Sequence, residues 1–282
     1  METFLTLGKL YIVATPIGNL EDMTLRGIRV LKEVDLIAAE DTRHTGKLLK
    51  HFEVKTPQIS YHEHNSRLRG QELVSKLEQG TNIALVSDAG MPGISDPGAE
   101  LIASAIAAGI LIIPIPGVSA SITALVSSGL ATERFVFEGF LPTQGKLRKE
   151  RLQGLQNEVR TIVLYEAPHR LLTSLKDLAK VLGQERSLVL GRELTKIHEE
   201  FWRGDLQGAI ALYTEKVQPK GEYTLVIAGS QVESNLILSE EQIKAELTQL
   251  LEQGMTRSQA CRYLAEQTSF SRRQIYQLSV NN

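Results

Sequence analysis

The sequence predicts an α/β protein of two lobes followed by a small helical appendage. Three observations carry that expectation. Short apolar runs alternate with helical patterns about five times over the first 130 residues, which is the signature of a parallel sheet with helices on its faces. The pattern changes after Thr132, and a turn-like segment near Pro142 marks the passage into a second lobe. Beyond Gly229 the composition shifts again, through the linker-like QVESN, into residues that read only as helices. The expected division is 1–132, 133–230 and 239–282.

In the first lobe, Lys9–Ala14 reads as a strand and is followed by a turn containing Pro16 and Gly18. Thr24–Val34 fits a helix with Leu25, Ile28 and Leu31 along one face. Asp35–Ala39 is strand-like, Thr45–Phe52 helical and Gln58–Tyr61 a weak strand. Arg67–Glu78 is a helix ended by Gly80, and Asn82–Ser87 is a clear strand. Ala99–Ala108, Ile110–Ile115 and Ser119–Gly129 then read as helix, strand and helix. In the second lobe, Arg134–Phe140, Thr161–Tyr165, Ser187–Leu190 and Tyr223–Ala228 look like strands. Helices are expected near Leu171–Leu182 and Asp205–Lys216, and LPTQGKLRKERLQ is polar and basic. In the tail, Ser239 and Gln242 form a capping box for a helix running to about Gln253. Thr256–Gln267 and Ser271–Ser279 complete a helix-turn-helix-like trio, with four arginines against one glutamate from Met255 onward.

Composition excludes several classes. Hydrophobic residues are 42% and charged residues 23% of 282, close to average globular usage. Thirty-one Lys and Arg against 33 Asp and Glu leave no global charge for nucleic acid, so such a contact needs a local patch. The single cysteine, Cys261, rules out an internal disulfide framework and a cysteine metal cluster. The start METFLTLGKL is too mixed for a secretion signal, which points to the cytoplasm. Leu101–Thr132 carries no charge, but Gly109, Pro114, Pro116 and Gly117 break it, so buried helix, strand, turn and helix fit better than a membrane span.

The chemistry-bearing motifs lie after strands. TPIGNLEDMT has one glycine where a dinucleotide fold needs three, and no P-loop is present. SDAGMPGISDPG, at Ser87–Gly98, follows a strand expected to be central; its glycines permit close backbone approach to a ligand. Asp88 and Asp96 there suit acid/base work or a metal, or, for Asp96, a helix cap. PIPGVSAS follows the next strand, with Ser119 a good N-cap. Together the two loops outline a cleft at the carboxyl ends of the strands. AEDTRHTG gathers Glu40, Asp41, Arg43 and His44 at another strand end. His62 and His64 share one side of YHEHN, yet no third ligand has metal spacing, so solvent-facing or substrate-facing polar roles are expected and no metal.

TPIGNLEDMTLR, LIAAEDTRHTG, LVSDAGMPGISDPG, PIPGVSAS, YEAPHRL, GRELTKIHEE and GEYTLVIAG, in that order, resemble the ribosomal RNA small subunit methyltransferase I family of the tetrapyrrole methylase superfamily. The resemblance spans essentially the whole chain. It implies a two-lobed tetrapyrrole-methylase-like fold, with a parallel sheet in the first lobe and a mixed sheet in the second. S-adenosylmethionine is expected between the lobes. The implied reaction is methylation of the ribose 2′-oxygen of a decoding-region cytidine, cytidine 1402, in 16S rRNA. The substrate is expected in the small ribosomal subunit and the enzyme as a homodimer. By position, Ser87, Asp88, Ala89, Ile94, Ser119, Ala120, Tyr165, Leu194 and Thr224 contact the cofactor. Pro16, Ile17 and Gly18 stand for a turn that is richer in glycine elsewhere in the superfamily, and they face either cofactor or substrate.

A ribose hydroxyl is a poor acid, so a proton acceptor is expected beside it. Asp41, His44 and Asp88 are candidates, with His169 next; His44 is best matched near neutral pH. Arg43 and Arg170 are expected at phosphates, and the basic run Lys146, Arg148, Lys149 and Arg151 either contacts RNA or forms a solvated helix face. The competing readings are a methyltransferase for a tetrapyrrole or other small molecule, and a non-catalytic RNA-binding protein.

Overall fold

The computed structural model describes residues 6–215, 219–230, 239–268 and 270–280. Residues up to Ala228 form one unit, built on two five-stranded sheets. The first sheet contains β1 (Lys9–Val13), β2 (Leu36–Ala39), β3 (Gln58–Ser60), β4 (Ile83–Val86) and β5 (Leu111–Ile115), all parallel and ordered β3-β2-β4-β1-β5. Its strands alternate between two buried faces. Val13, Ala84 and Val86 pack with α1 (Leu25–Glu33) and α2 (Thr42–His51), whereas Leu10, Ile83 and Leu85 pack with α3 (Ser66–Glu78) and α4 (Ala99–Ala107). Burial on both faces explains the nearly continuous apolar runs.

The chain leaves β1 toward β2 on one side and β4 toward β5 on the other. Adjacent strands whose connections diverge open a crevice at their carboxyl ends. Helix α2 begins at Thr42, earlier than the expected Thr45, because the Asp41 carboxylate caps it by accepting the Arg43 N–H at 2.8 Å. The uncharged stretch after Leu101 is divided among α4, β5 and α5 (Ala120–Ser128). Among the described residues no helix is long and apolar enough to cross a membrane.

The second sheet holds β6 (Phe135–Phe140), β7 (Thr161–Glu166), β8 (Ser187–Arg192), β9 (Glu200–Asp205) and β10 (Tyr223–Ile227), ordered β6-β7-β10-β8-β9. Only β6 and β7 run parallel, so the sheet is mixed. The basic segment after Pro142 is helix α6 (Gly145–Gly154), and α7 (Leu171–Leu182) and α8 (Leu206–Glu215) complete this layer. Strand β9 was not expected: EFWRGD is a half-exposed edge strand without clean alternation. Helix α5 packs its Ala124 and Leu125 on Val163, Val189 and Val226 of the second sheet. A helix that follows the last strand of one sheet thus supplies core to the other.

Residues from Gly229 onward form a separate unit. Helices α9 (Glu240–Glu252), α10 (Arg257–Gln267) and α11 (Arg272–Val280) enclose Ile243, Leu247, Ala260, Cys261, Leu264 and Ile275. Each helix opens on the same device. Ser239 with Gln242, Thr256 with Gln259 and Ser271 with Gln274 exchange backbone and side-chain hydrogen bonds, which satisfies donors that a helix start leaves open. Cys261 is a buried free thiol.

Candidate active site

Loops after β1, β4 and β2 are tied together before any ligand is considered. Thr15 and Gly90 exchange backbone hydrogen bonds of 2.9 and 3.0 Å, and the φ of 80° at Gly90 suits glycine. The Thr15 hydroxyl donates to the Ser87 carbonyl at 3.1 Å. The Asp41 N–H donates to Asp88 Oδ1 at 3.1 Å, and the Asp88 N–H donates to Glu40 Oε2 at 3.2 Å. Asp88 is therefore a latch between the ends of β2 and β4.

Above these loops lies a cleft of about 460 Å³ between the two sheets. It gathers Ile17, Ala89, Ile94, Ser119, Ala120, Tyr165, His169 and Thr224, all singled out from sequence. Its walls also include Asp96, offered from sequence for acid/base work, a metal or a helix cap, and Phe140, Glu166 and Glu222, which no motif singled out. Tyr165 spans the lobes: its hydroxyl accepts the Ser121 N–H at 3.1 Å. Ser119 occupies the N-cap position of α5 without capping it, and pairs instead with the Ser121 hydroxyl at 3.0 Å.

Other expected cofactor residues lie off this wall. Pro16 and Gly18 do not line the cleft. Gly18, at φ 155°, is covered by Lys196, whose Cγ would stand 2.3 Å from an added Cβ. Leu194 is buried in the apolar core with Val163 and Val226. Asp88 serves the latch, and the Ser87 hydroxyl donates to the Ala89 carbonyl at 3.4 Å.

Asp96 is the electrostatic centre. Burial, with the charges of Glu40 and Asp88, pushes its carboxyl up to about 7, against the bond from Ser87. Burial also pushes Glu40 up. Asp96 caps no helix, since the N-cap position of α4 is Gly98. Asp41 differs: the Arg43 guanidinium bonds it at 2.7 Å and holds its carboxyl far below the usual range. That pairing occupies Arg43 as well. His44 is exposed on α2 and lines neither this cleft nor the cavity beside it. His169 stands exposed at the rim, on a short turn of residues Pro168–Arg170. Among the described residues no group of three or more His, Cys, Asp or Glu side chains could hold a metal ion.

Two arginines expected at phosphates are internal. Arg148 is 7% exposed. It donates to Asp177 at 3.0 Å, to the Pro142 carbonyl at 2.8 Å and to the Ser174 hydroxyl at 3.0 Å. Arg170 pairs with the buried Glu166 at 2.8 Å, and the Ser174 hydroxyl also donates to Glu166. Buried charge demands this satisfaction, so both arginines hold the Glu166 wall of the cleft. Lys146 and Lys149 are exposed, with Lys146 3.6 Å from Glu150.

The donor set fits S-adenosylmethionine. Ile17, Met91, Ile94 and Phe140 offer apolar surface, Ser119 and Thr224 offer hydroxyls, and Asp96 offers a carboxyl, whereas Glu166 and Glu222 are already paired with Arg170 and Lys196. Sequence reasoning noted Asp96 but could not place it. Its aspartate follows a central strand within a run of glycines and prolines, and that was the available signal.

Comparison with known proteins agrees. Residues 9–210 match the tetrapyrrole (corrin/porphyrin) methylases. A ribosomal RNA small subunit methyltransferase I from Synechocystis is 64% identical over 97% of this chain and 98% of that protein. One from Haemophilus influenzae is 44% identical over 97% and 96%. Among solved structures, diphthine synthase superposes with a TM-score of 0.63 at 14% identity, over 79% of this chain and 90% of the other. A uroporphyrin-III C-methyltransferase from Thermus thermophilus, complexed with S-adenosylhomocysteine, gives 0.55 at 18% identity, over 78% and 97%. Those two likenesses speak for the fold. With close identity held across nearly its whole length, the chain belongs to the ribosomal RNA small subunit methyltransferase I family, a branch of the tetrapyrrole methylases that uses S-adenosylmethionine.

Proposed function

We propose that this chain methylates the ribose 2′-oxygen of a decoding-region cytidine in 16S rRNA, within the small ribosomal subunit, with Asp96 as the general base. The carrying observation is the Asp96 carboxyl itself, pushed up to about 7 at the wall of the cofactor cleft. A base titrating near the working pH combines adequate basicity with adequate ionisation. Asp41 is committed to Arg43, and His44 is away from the cleft, so Asp96 replaces both in this role.

When bound, S-adenosylmethionine supplies a methyl group already activated on a cationic sulfur. Tyr165, Ile17, Ile94 and Phe140 exclude water from the transfer path, and Ser119 and Thr224 orient by hydrogen bonding. The ribose hydroxyl would give its proton to an Asp96 carboxylate oxygen as that hydroxyl oxygen gains the methyl carbon, the methyl–sulfur bond breaking so that its electron pair leaves on sulfur as a neutral thioether. Much of the acceleration is orientation.

The relatives' names support ribosomal RNA as substrate. Lys146 and Lys149 on α6 and the arginines of the terminal helices supply local positive charge for its phosphates. A cytoplasmic homodimer belongs to the same reading, and sedimentation at micromolar concentration tests the dimer. The decisive experiment incubates the protein and methyl-labelled cofactor with small subunits from cells lacking the enzyme, then maps the label. Ribose methylation at a decoding-region cytidine is expected. Label on a base, or transfer only to a tetrapyrrole, overturns the reading.

A further inference from the structure

A second cavity, of about 540 Å³, adjoins the cofactor cleft and shares Ser95 and Asp96 with it. Its size is in the range of small-ligand sites, about 300–1,000 Å³. Glu40 ends β2, residues 61–64 follow β3, and residues 95–100 lead into α4. It therefore opens at the carboxyl ends of β2, β3 and β4, where open α/β sheets place ligands. The relatives' names assign it no role.

Its chemistry is selective. Glu40, Glu63, Asp96 and Glu100 line it together with His62 and His64, and the lining contains no lysine or arginine. Four carboxylates repel a phosphodiester and favour donors: hydroxyls and exocyclic amines. Glu40 commits Oε2 to the Asp88 N–H, which leaves Oε1 without a protein donor among the described residues.

His62 adds a donor. The Asn65 amide is oriented by two backbone bonds: Oδ1 accepts the His62 N–H at 2.9 Å, and Nδ2 donates to the Ser60 carbonyl at 3.2 Å. Nδ2 then faces His62 Nε2 at 3.3 Å as a donor, so a neutral ring carries its proton on Nδ1. That Nδ1 is buried with no hydrogen-bond partner. Buried donors without acceptors are rare in folded proteins, and a ligand acceptor, met by a side-chain shift of the kind common on binding, would satisfy this one.

We infer that this cavity receives the target nucleoside, turned out of its strand, with the ribose at Asp96 and an amino-bearing base edge read by Glu40 and His62. The inference rests on the reading of the chain as a ribose methyltransferase, and extends it to base selection. Enzymes that do chemistry on a base take it out of its stack, and the cavity at the Asp96 wall gives an unstacked base a comparable place here. Glutamate accepts from the cytosine N4 amine. Uracil places O4 there, an acceptor against a carboxylate. A cytosine N3 provides the acceptor that His62 lacks, whereas uracil carries a hydrogen on N3. Because Asp96 forms the common wall, the same placement brings the ribose hydroxyl to the proposed base.

The test uses small subunits reconstituted with rRNA carrying cytidine or uridine at the position methylated by the wild-type protein. kcat/KM is measured on both, and cofactor affinity by calorimetry. The wild type is expected to prefer cytidine by about 10- to 100-fold, the scale of one good base contact. Glu40→Gln, which can donate as well as accept, is expected to reduce that preference at least tenfold, with an absolute gain on uridine. His62→Ala is expected to narrow it at least threefold, and both variants should hold cofactor affinity within twofold. An unchanged cytidine-to-uridine ratio in both variants, even with slower turnover, overturns the inference and leaves Glu40 acting only through Asp96. Absence of ribose label from the wild type on either substrate is a different failure: it defeats the methyltransferase reading first, and the nucleoside site with it.

Discussion

The Tyr165 hydroxyl, from the second sheet, accepts the Ser121 N–H at the start of α5 at 3.1 Å. A cleft residue is thus also the cap of the helix that joins the two sheets. Its ring packs edge-on against Phe137, with centroids 4.9 Å apart. Tyr165→Phe keeps that packing and leaves a helix N–H unpaired. Urea denaturation should show a loss of about 0.5–1.5 kcal/mol, together with weaker cofactor binding. Unchanged stability would mean that the cap contributes nothing net.

Asp96→Asn should lower kcat by about 100- to 10,000-fold, the range for a positioned base. In the wild type, kcat should rise with pH through about 7, where the Asp96 carboxyl ionises. The Glu40 charge helps to raise the Asp96 carboxyl, so Glu40→Gln should move that limb to lower pH. A pH-independent kcat between 6 and 8, with transfer chemistry rate-limiting, would remove Asp96 as the base.

The same group predicts a stability cost. Its folded pKa is raised from 3.8 to about 7. Its contribution is therefore fully present below about pH 4 and lost as pH rises through about 7. Asp96 is only half-buried, so solvent screening holds the loss to a fraction of the full value of about 1.36 kcal/mol per pH unit. Asp96→Asn should accordingly gain stability relative to wild type at pH 8 compared with pH 5. A difference independent of pH would contradict the burial that raises this carboxyl.

Arg148 and the exposed lysines of α6 should separate cleanly. Arg148→Ala leaves Asp177 and Ser174 short of a partner and should cost about 3 kcal/mol or more in denaturant unfolding. Lys146→Ala with Lys149→Ala should change stability by less than about 0.5 kcal/mol and flatten the salt dependence of subunit binding. Equal salt slopes for the double variant and wild type would remove α6 from the RNA-facing surface.

Ending the chain at Ala228 keeps the unit that contains both sheets and the cleft. Calorimetry should find cofactor affinity unchanged within about twofold, while subunit association weakens. Equal subunit affinity would mean that the terminal helices and their arginines serve no RNA contact.

Much of the first sheet was legible because its strands are buried on both faces and their apolar runs are bounded by turns. The cap Ser239 was equally readable, since capping depends on neighbours within three residues. Edge strand β9 was not readable, because half-exposure erases its alternation. Of the cleft, the residues in strand-end motifs were found, and Leu194 and Gly18 were misplaced. Their positions are set by cross-lobe packing against α5 and Lys196.

The sequence by itself determined the repeated strand and helix order, the three-helix tail and which loops reach the cleft, because periodicity and turn chemistry are local. Only the tertiary structure decided which charged groups do chemistry. Arg148 looks like a phosphate ligand until burial commits it to Asp177. Asp96 looks like one loop carboxylate among several until strand order sets Glu40 and Asp88 beside it. Proton affinity depends on desolvation and on charges brought close through space, and in this chain those charges come from three separate strand-end segments.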